Sequence, residues 1–128
     1  MSTELSMLVY SAVLTGALAL PSVIALILSK GVPFAAGNRG EPYELPAWGS
    51  RAARAHANMV ENLPIFAVLV LVAQAVGVSN AATAFGATMF FWARVAHAVF
   101  YLAGIPYLRT AAFAVSIVGL LRILLELL

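Results

Sequence analysis

The chain has no cysteine. Disulfides, thiolate metal sites and dithiol redox chemistry carried by the protein are thereby excluded, and any thiol in its chemistry belongs to a substrate. Charge is nearly as scarce: 9% of the 128 residues are Asp, Glu, Lys or Arg, against roughly 25% in a soluble domain. With 63% hydrophobic residues and a mean hydropathy of +1.00, this is the composition of an integral membrane protein, with room for one small domain. Seven basic residues and a net charge of +2 are too few and too dispersed for a nucleic-acid surface. No Lys or Arg precedes the first apolar run, whose uncharged stretch Leu5–Ser29 outlasts the ~7–15 apolar residues of a signal peptide. We read it as a retained membrane helix.

What is present is four apolar segments. A helix needs ~20 largely apolar residues to span the hydrocarbon core. Residues 5–29, 48–76, 81–102 and 107–127 supply four such runs, and the fold class expected is an all-α integral membrane four-helix bundle. Pro21 is expected to kink the first helix and Pro64 the second. Gly, Pro and charged residues between Lys30 and Pro46 mark a loop outside the membrane. Gly77–Asn80 and Ala103–Pro106 are short turns. Basic residues gather at loop one and its flanks (Lys30, Arg39, Arg51, Arg54) and after loop three (Arg109). The positive-inside rule then puts loops one and three in the cytoplasm and both termini on the far side. The minimal loops suit a bacterial inner membrane.

Ionisable residues at membrane depth are costly, at least ~2.5–3.5 kcal/mol each, and normally face protein or water. Here they are concentrated. Arg51, Arg54, Asn58 and Glu61 recur every three or four residues on one face of the second helix, and Arg94, His97 and Tyr101 do so on the third. In the expected topology both sets, with Arg109, meet in one cytoplasmic-side layer. Such a layer suits a small zwitterion: cations for its carboxylates, an acid for its amine, Asn and Tyr for its amides. The two histidines have no carboxylate cluster beside them and offer no metal site.

The run Arg54-Ala-His56-x-Asn58-x-x-Glu61-x-x-Pro64-x-Phe66, then Arg94-x-x-His97-x-x-x-Tyr101 and Arg109-Thr110, resembles the MAPEG family. Its members are membrane-associated proteins of eicosanoid and glutathione metabolism, among them microsomal glutathione transferases and the leukotriene-C and prostaglandin-E synthases. The resemblance spans about Trp48 to Phe113. It implies a homotrimer in the bilayer with glutathione as co-substrate, held between subunits near the cytoplasmic face, and a lipophilic small-molecule substrate. Arg54, Asn58, Glu61, Arg94, His97, Tyr101 and Thr110 would bind glutathione, with Arg51 and Lys30 as further candidates. Arg109 would be the catalytic residue, stabilising the thiolate. The chain departs from some members at Ala57, where they carry another arginine, and at Phe113, where the prostaglandin-E synthase type has a tyrosine. Lys30 stands near an arginine position at the end of the first helix.

The expected function is a glutathione-dependent transferase or peroxidase acting on lipophilic electrophiles or lipid hydroperoxides. Two alternatives are a non-catalytic scaffold that binds a small anion or lipid, motivated by Ala57 and Phe113, and a small proton-coupled exporter built on Glu61. Duller roles stand beside the functional ones. Arg51 reads as snorkelling to the interface beside Trp48, Arg54, Asn58 and Glu61 as a structural network, and Arg94 as the partner of Glu61. His56 reads as a packing residue, and Arg122 and Glu126 as an i,i+4 pair. Gly16, Ala17 and Ala19, the alanines of 52–57, and residues 81–86 read as small-residue surfaces that let helices approach closely.

Overall fold

In the computed structural model, which describes all 128 residues, five α-helices follow one another: α1 (Thr3–Lys30), α2 (Val32–Ala36), α3 (Ala47–Ala75), α4 (Ala81–Ala103) and α5 (Pro106–Leu127). The four long helices are α1, α3, α4 and α5. The short α2 lies inside the segment expected to be plain loop, where Pro33 occupies its first turn and needs no backbone N–H there. Three long helices, α1, α3 and α5, are long and apolar enough to cross a membrane. The protein is thus integral to the membrane with three spans of that kind. Helix α4 is long enough, at about 34 Å for 1.5 Å per residue, but Arg94, His97 and its threonines lower its hydropathy. It packs against α1, α3 and α5, so its polar residues are covered by protein.

The helix ends follow local chemistry. The Ser2 side chain accepts the Leu5 N–H and caps α1, and Asn80 and Thr83 form a reciprocal capping box at the start of α4. Gly104 closes α4 in the left-handed conformation, φ 77°, which a side chain would disfavour. Pro106 then opens α5. Pro21 and Pro64 lie within α1 and α3 without ending either helix.

The helices α1 and α4 run in one direction and α3 and α5 in the other. A polar cluster ties one end of the bundle together. Glu4, buried at the start of α1, accepts hydrogen bonds from Ser79 Oγ (3.1 Å) and from Thr83 Oγ1. Its carboxylate therefore sits at the positive end of α4. Asn80 Nδ2 donates to Glu126 Oε2 of α5 at 2.8 Å. The Arg122–Glu126 pair expected from spacing is absent: Glu126 turns to Asn80, and Arg122 lies over the Phe85 ring at 5.8 Å.

The core is Leu18, Met59, Phe66, Val70, Phe90, Leu120 and Ile123 with smaller residues between. Phe66 and Phe90 stack with ring centroids 4.1 Å apart. Helices α4 and α5 touch backbone to backbone at Gly86 and Gly119, where a Cβ on either would come within 2.7 Å of the other's carbonyl oxygen. Gly49 fits in the same way against Ala25 of α1. Gly16, by contrast, has nothing within 4 Å of where its Cβ would be, so it makes no close helix contact within the chain. The outer surface carries exposed Val13, Leu28, Val68, Trp92 and Leu125, the apolar cover a lipid environment accepts.

Candidate functional site

The four polar positions of α3 do not share one environment. At 3.6 residues per turn, Arg51, Arg54, Asn58 and Glu61 cover roughly 80° of the helix circumference. Arg51 and Asn58 occupy the inner edge of that arc and are half-buried, whereas Arg54 and Glu61 occupy the outer edge and are exposed. Helix α4 delivers Arg94 and His97 to the interior, 1% and 3% exposed, and Tyr101 one turn further on.

These residues form an open cavity of about 250 Å³ lined by Asn58, His97, Tyr101, Arg109, Thr110 and Phe113. Three helices contribute to it: α3, α4 and the first turns of α5. The Tyr101 ring is held between two neighbours. His97 meets it edge-on, with centroids 5.5 Å apart, and the Arg109 guanidinium lies over its face at 4.3 Å. That cation–π contact fixes the direction of Arg109 without neutralising it. Thr110 donates its hydroxyl proton to Pro106 O at 3.2 Å, leaving its oxygen as an acceptor.

Arg94 lies behind this wall. Its Nη2 donates to Asn58 Oδ1 at 2.5 Å and its Nε to Met59 Sδ at 3.4 Å, while Nη1 has no partner. The pairing of Arg94 with Glu61 is therefore not formed. The ion pair in the structure is Lys30–Glu41 at 3.7 Å, so Arg54, Asn58 and Glu61 do not constitute a salt-bridge network either. Asn62, which sequence reading passed over, donates Nδ2 to Asn58 O at 2.8 Å and lies 3.4 Å from Asn58 Oδ1. Its spacing of four from Asn58 was the available signal.

Two further candidates have structural roles. Arg51 Nε donates to Leu102 O at 3.2 Å, so it satisfies a carbonyl in the last turn of α4. A cation there also complements the negative end of the helix dipole. Lys30 is held by Glu41 and by the Phe34 ring, 5.1 Å away, and lines no part of the cavity.

Arg54 borders a different and larger cleft, about 620 Å³, with Tyr43, Glu44, Leu45, Ser50 and Ala53. That cleft lacks the convergence of buried polar side chains seen in the smaller one. Of the residues expected to bind one ligand, the chain thus brings together Asn58, His97, Tyr101, Arg109 and Thr110. It leaves Arg54 and Glu61 facing outward and Arg94 behind the wall.

The model of the MAPEG family matches residues 5–128. Comparisons with curated proteins and with solved structures give no match.

Proposed function

The chain belongs to the MAPEG family, and from that premise we propose that it is a membrane-bound glutathione-dependent transferase or peroxidase. Its substrates in this reading are lipophilic electrophiles or lipid hydroperoxides that reach the site from the bilayer. The observation that carries the reading is Arg109: a cation on the wall of a polar cavity, oriented by Tyr101, with no carboxylate at ion-pair distance. A free thiol has a pKa of about 8.5, and a nearby guanidinium favours its anion. Arginine cannot be neutralised in the exchange. The start of α5, where Arg109 lies in the first turns, adds the positive end of a 22-residue helix.

In this reading the glutathione thiol loses its proton to water and the thiolate is held by Arg109. For a carbon electrophile, sulfur attacks, the C–S bond forms and the leaving group departs with its electron pair. For a hydroperoxide, sulfur attacks oxygen, the O–O bond breaks, and the alkoxide takes a proton to give the alcohol. A second glutathione then converts the sulfenic acid to the disulfide and water.

A homotrimer is part of the same reading. The cavity, at about 250 Å³, falls short of the ~300–1,000 Å³ usual for small-molecule sites. Glu61 lies some 21 Å along α3 at 1.5 Å per residue, and is exposed and unpaired. A charge at that depth calls for protein or water beside it. A neighbouring copy seated on the outer face of α3 would cover Arg54 and Glu61 and close the cavity around glutathione. Loops one and three facing the cytoplasm would give the peptide access from that side.

The test is an ultraviolet difference spectrum of glutathione added to the purified protein, with Arg109→Ala as control. A thiolate band at neutral pH that is lost in the variant is the expected result. An equal band in both removes Arg109 from the chemistry. Phe113 on the cavity wall favours a second reading, a scaffold that binds without turnover. Its mark would be thermal stabilisation by glutathione with no turnover across a panel of electrophiles.

A further inference from the structure

Arg94 has only donors to offer, so the Asn58 side-chain atom facing it must be the amide oxygen. That oxygen receives Arg94 Nη2 and is also approached by Asn62 Nδ2 at 3.4 Å. The other end of the Asn58 amide, its NH₂ group, makes no hydrogen bond within the chain. Asn58 nonetheless lines the cavity. We propose that Arg94 is a positioning residue: buried and out of reach of ligand, it locks the Asn58 amide with its NH₂ toward the cavity and so makes that wall a hydrogen-bond donor.

The consequence is a selectivity rule. An asparagine free to flip would accept or donate as the ligand required. Held by Arg94, Asn58 serves only an acceptor, a carboxylate or peptide carbonyl oxygen, and rejects an ammonium or N–H at that point. Arg109, donor-only as well, stands across the same cavity. Asn62 supports the arrangement by anchoring to Asn58 O at 2.8 Å, which fixes the turn of α3 from which Asn58 projects. For glutathione as the ligand, the inference rests on the functional reading above. For the direction of the Asn58 amide it does not.

The experiment uses Asn58→Asp, close to isosteric, in the full-length protein in detergent. A carboxylate opposite buried Arg94 keeps both acceptor contacts, so the ligand-free melting temperature should equal or exceed that of the wild type. The same change removes the NH₂ donor and should weaken glutathione binding by calorimetry about 10- to 100-fold, as for loss of a hydrogen bond to a charged group. A lower melting temperature, or failure to fold, overturns the orientation. Unchanged glutathione affinity overturns the donor assignment. Wild-type protein that binds no glutathione removes the functional reading, and the melting temperatures still test whether position 58 presents an acceptor to Arg94. Arg94→Met on an Asn58→Ala background supplies the second check. If Arg94 acts through Asn58, the double variant binds glutathione within about twofold of Asn58→Ala alone, and a further tenfold loss overturns that role.

Discussion

Helices α4 and α5 carry His97 and Tyr101 on one side of the cavity and Arg109 and Thr110 on the other, and the two helices meet backbone to backbone at Gly86 and Gly119. A methyl added by Gly119→Ala would lie 2.7 Å from Gly86 O, 2.9 Å from Phe90 N and 3.3 Å from Phe90 Cα. All three atoms belong to backbone, so no side chain can swing away, and the helices must part by several tenths of an ångström. Overpacking of this kind costs about 1–3 kcal/mol, and the gain in helix propensity over glycine returns at most ~1 kcal/mol. A net loss of about 1–2 kcal/mol is expected from denaturation in detergent. Gly16→Ala is the internal control, because its methyl would meet nothing within 4 Å. It should leave stability unchanged or raise it by up to ~1 kcal/mol. Should Gly119→Ala prove as stable as the wild type, the close backbone contact of α4 and α5 is refuted.

Two other perturbations test the ends of the bundle. Glu4→Ala strips Ser79 and Thr83 of their shared acceptor and the α4 N-terminus of its anion. A loss of about 1–3 kcal/mol is expected, and a thermal melt indistinguishable from wild type would exclude the clamp. Arg51→Met removes the donor to Leu102 O and should lower stability by about 0.5–1.5 kcal/mol. No change on that substitution would show that the Arg51–Leu102 bond adds nothing to the stability of the bundle.

Much of the fold is written in residues that act locally. Gly77 and Asn80, then Gly104 and Pro106, bracket the turns because each supports a conformation or a cap that few other residues support. The helix bounds accordingly lie within two residues of those read from apolar runs. Asn58, His97, Tyr101 and Arg109 were legible as one layer, since helical spacing and antiparallel topology suffice to gather them, whereas Thr110 came only with the family resemblance. The division of α3 into an inner edge with Arg51 and Asn58 and an outer edge with Arg54 and Glu61 was implicit in the 3.6-residue period. It needed only the direction of the core. The partners were not legible. Arg94 with Asn58, Arg51 with Leu102 and Glu4 with Thr83 lie 36, 51 and 79 residues apart, and a sequence pattern does not say which of several donors reaches a given acceptor. Even there a trace existed: Asn80-x-x-Thr83 has capping-box spacing, and a capped helix start is a natural seat for a buried acid such as Glu4.

That seat has a chronology. Glu4 is made before the Thr83 hydroxyl that receives it, which follows 79 residues later. At about 5–20 residues per second, synthesis separates the two by about 4–16 s. Through that interval α1 can enter the bilayer, but its carboxylate has no helix start to rest on and stays with water and lipid headgroups. The bundle can be latched at that end only after α4 has begun, and the Asn80–Glu126 bond waits for the last residues of α5. Assembly of this bundle in a membrane is therefore a closing of α1 against the later α4 and α5, with α1 the longest unfinished of the helices.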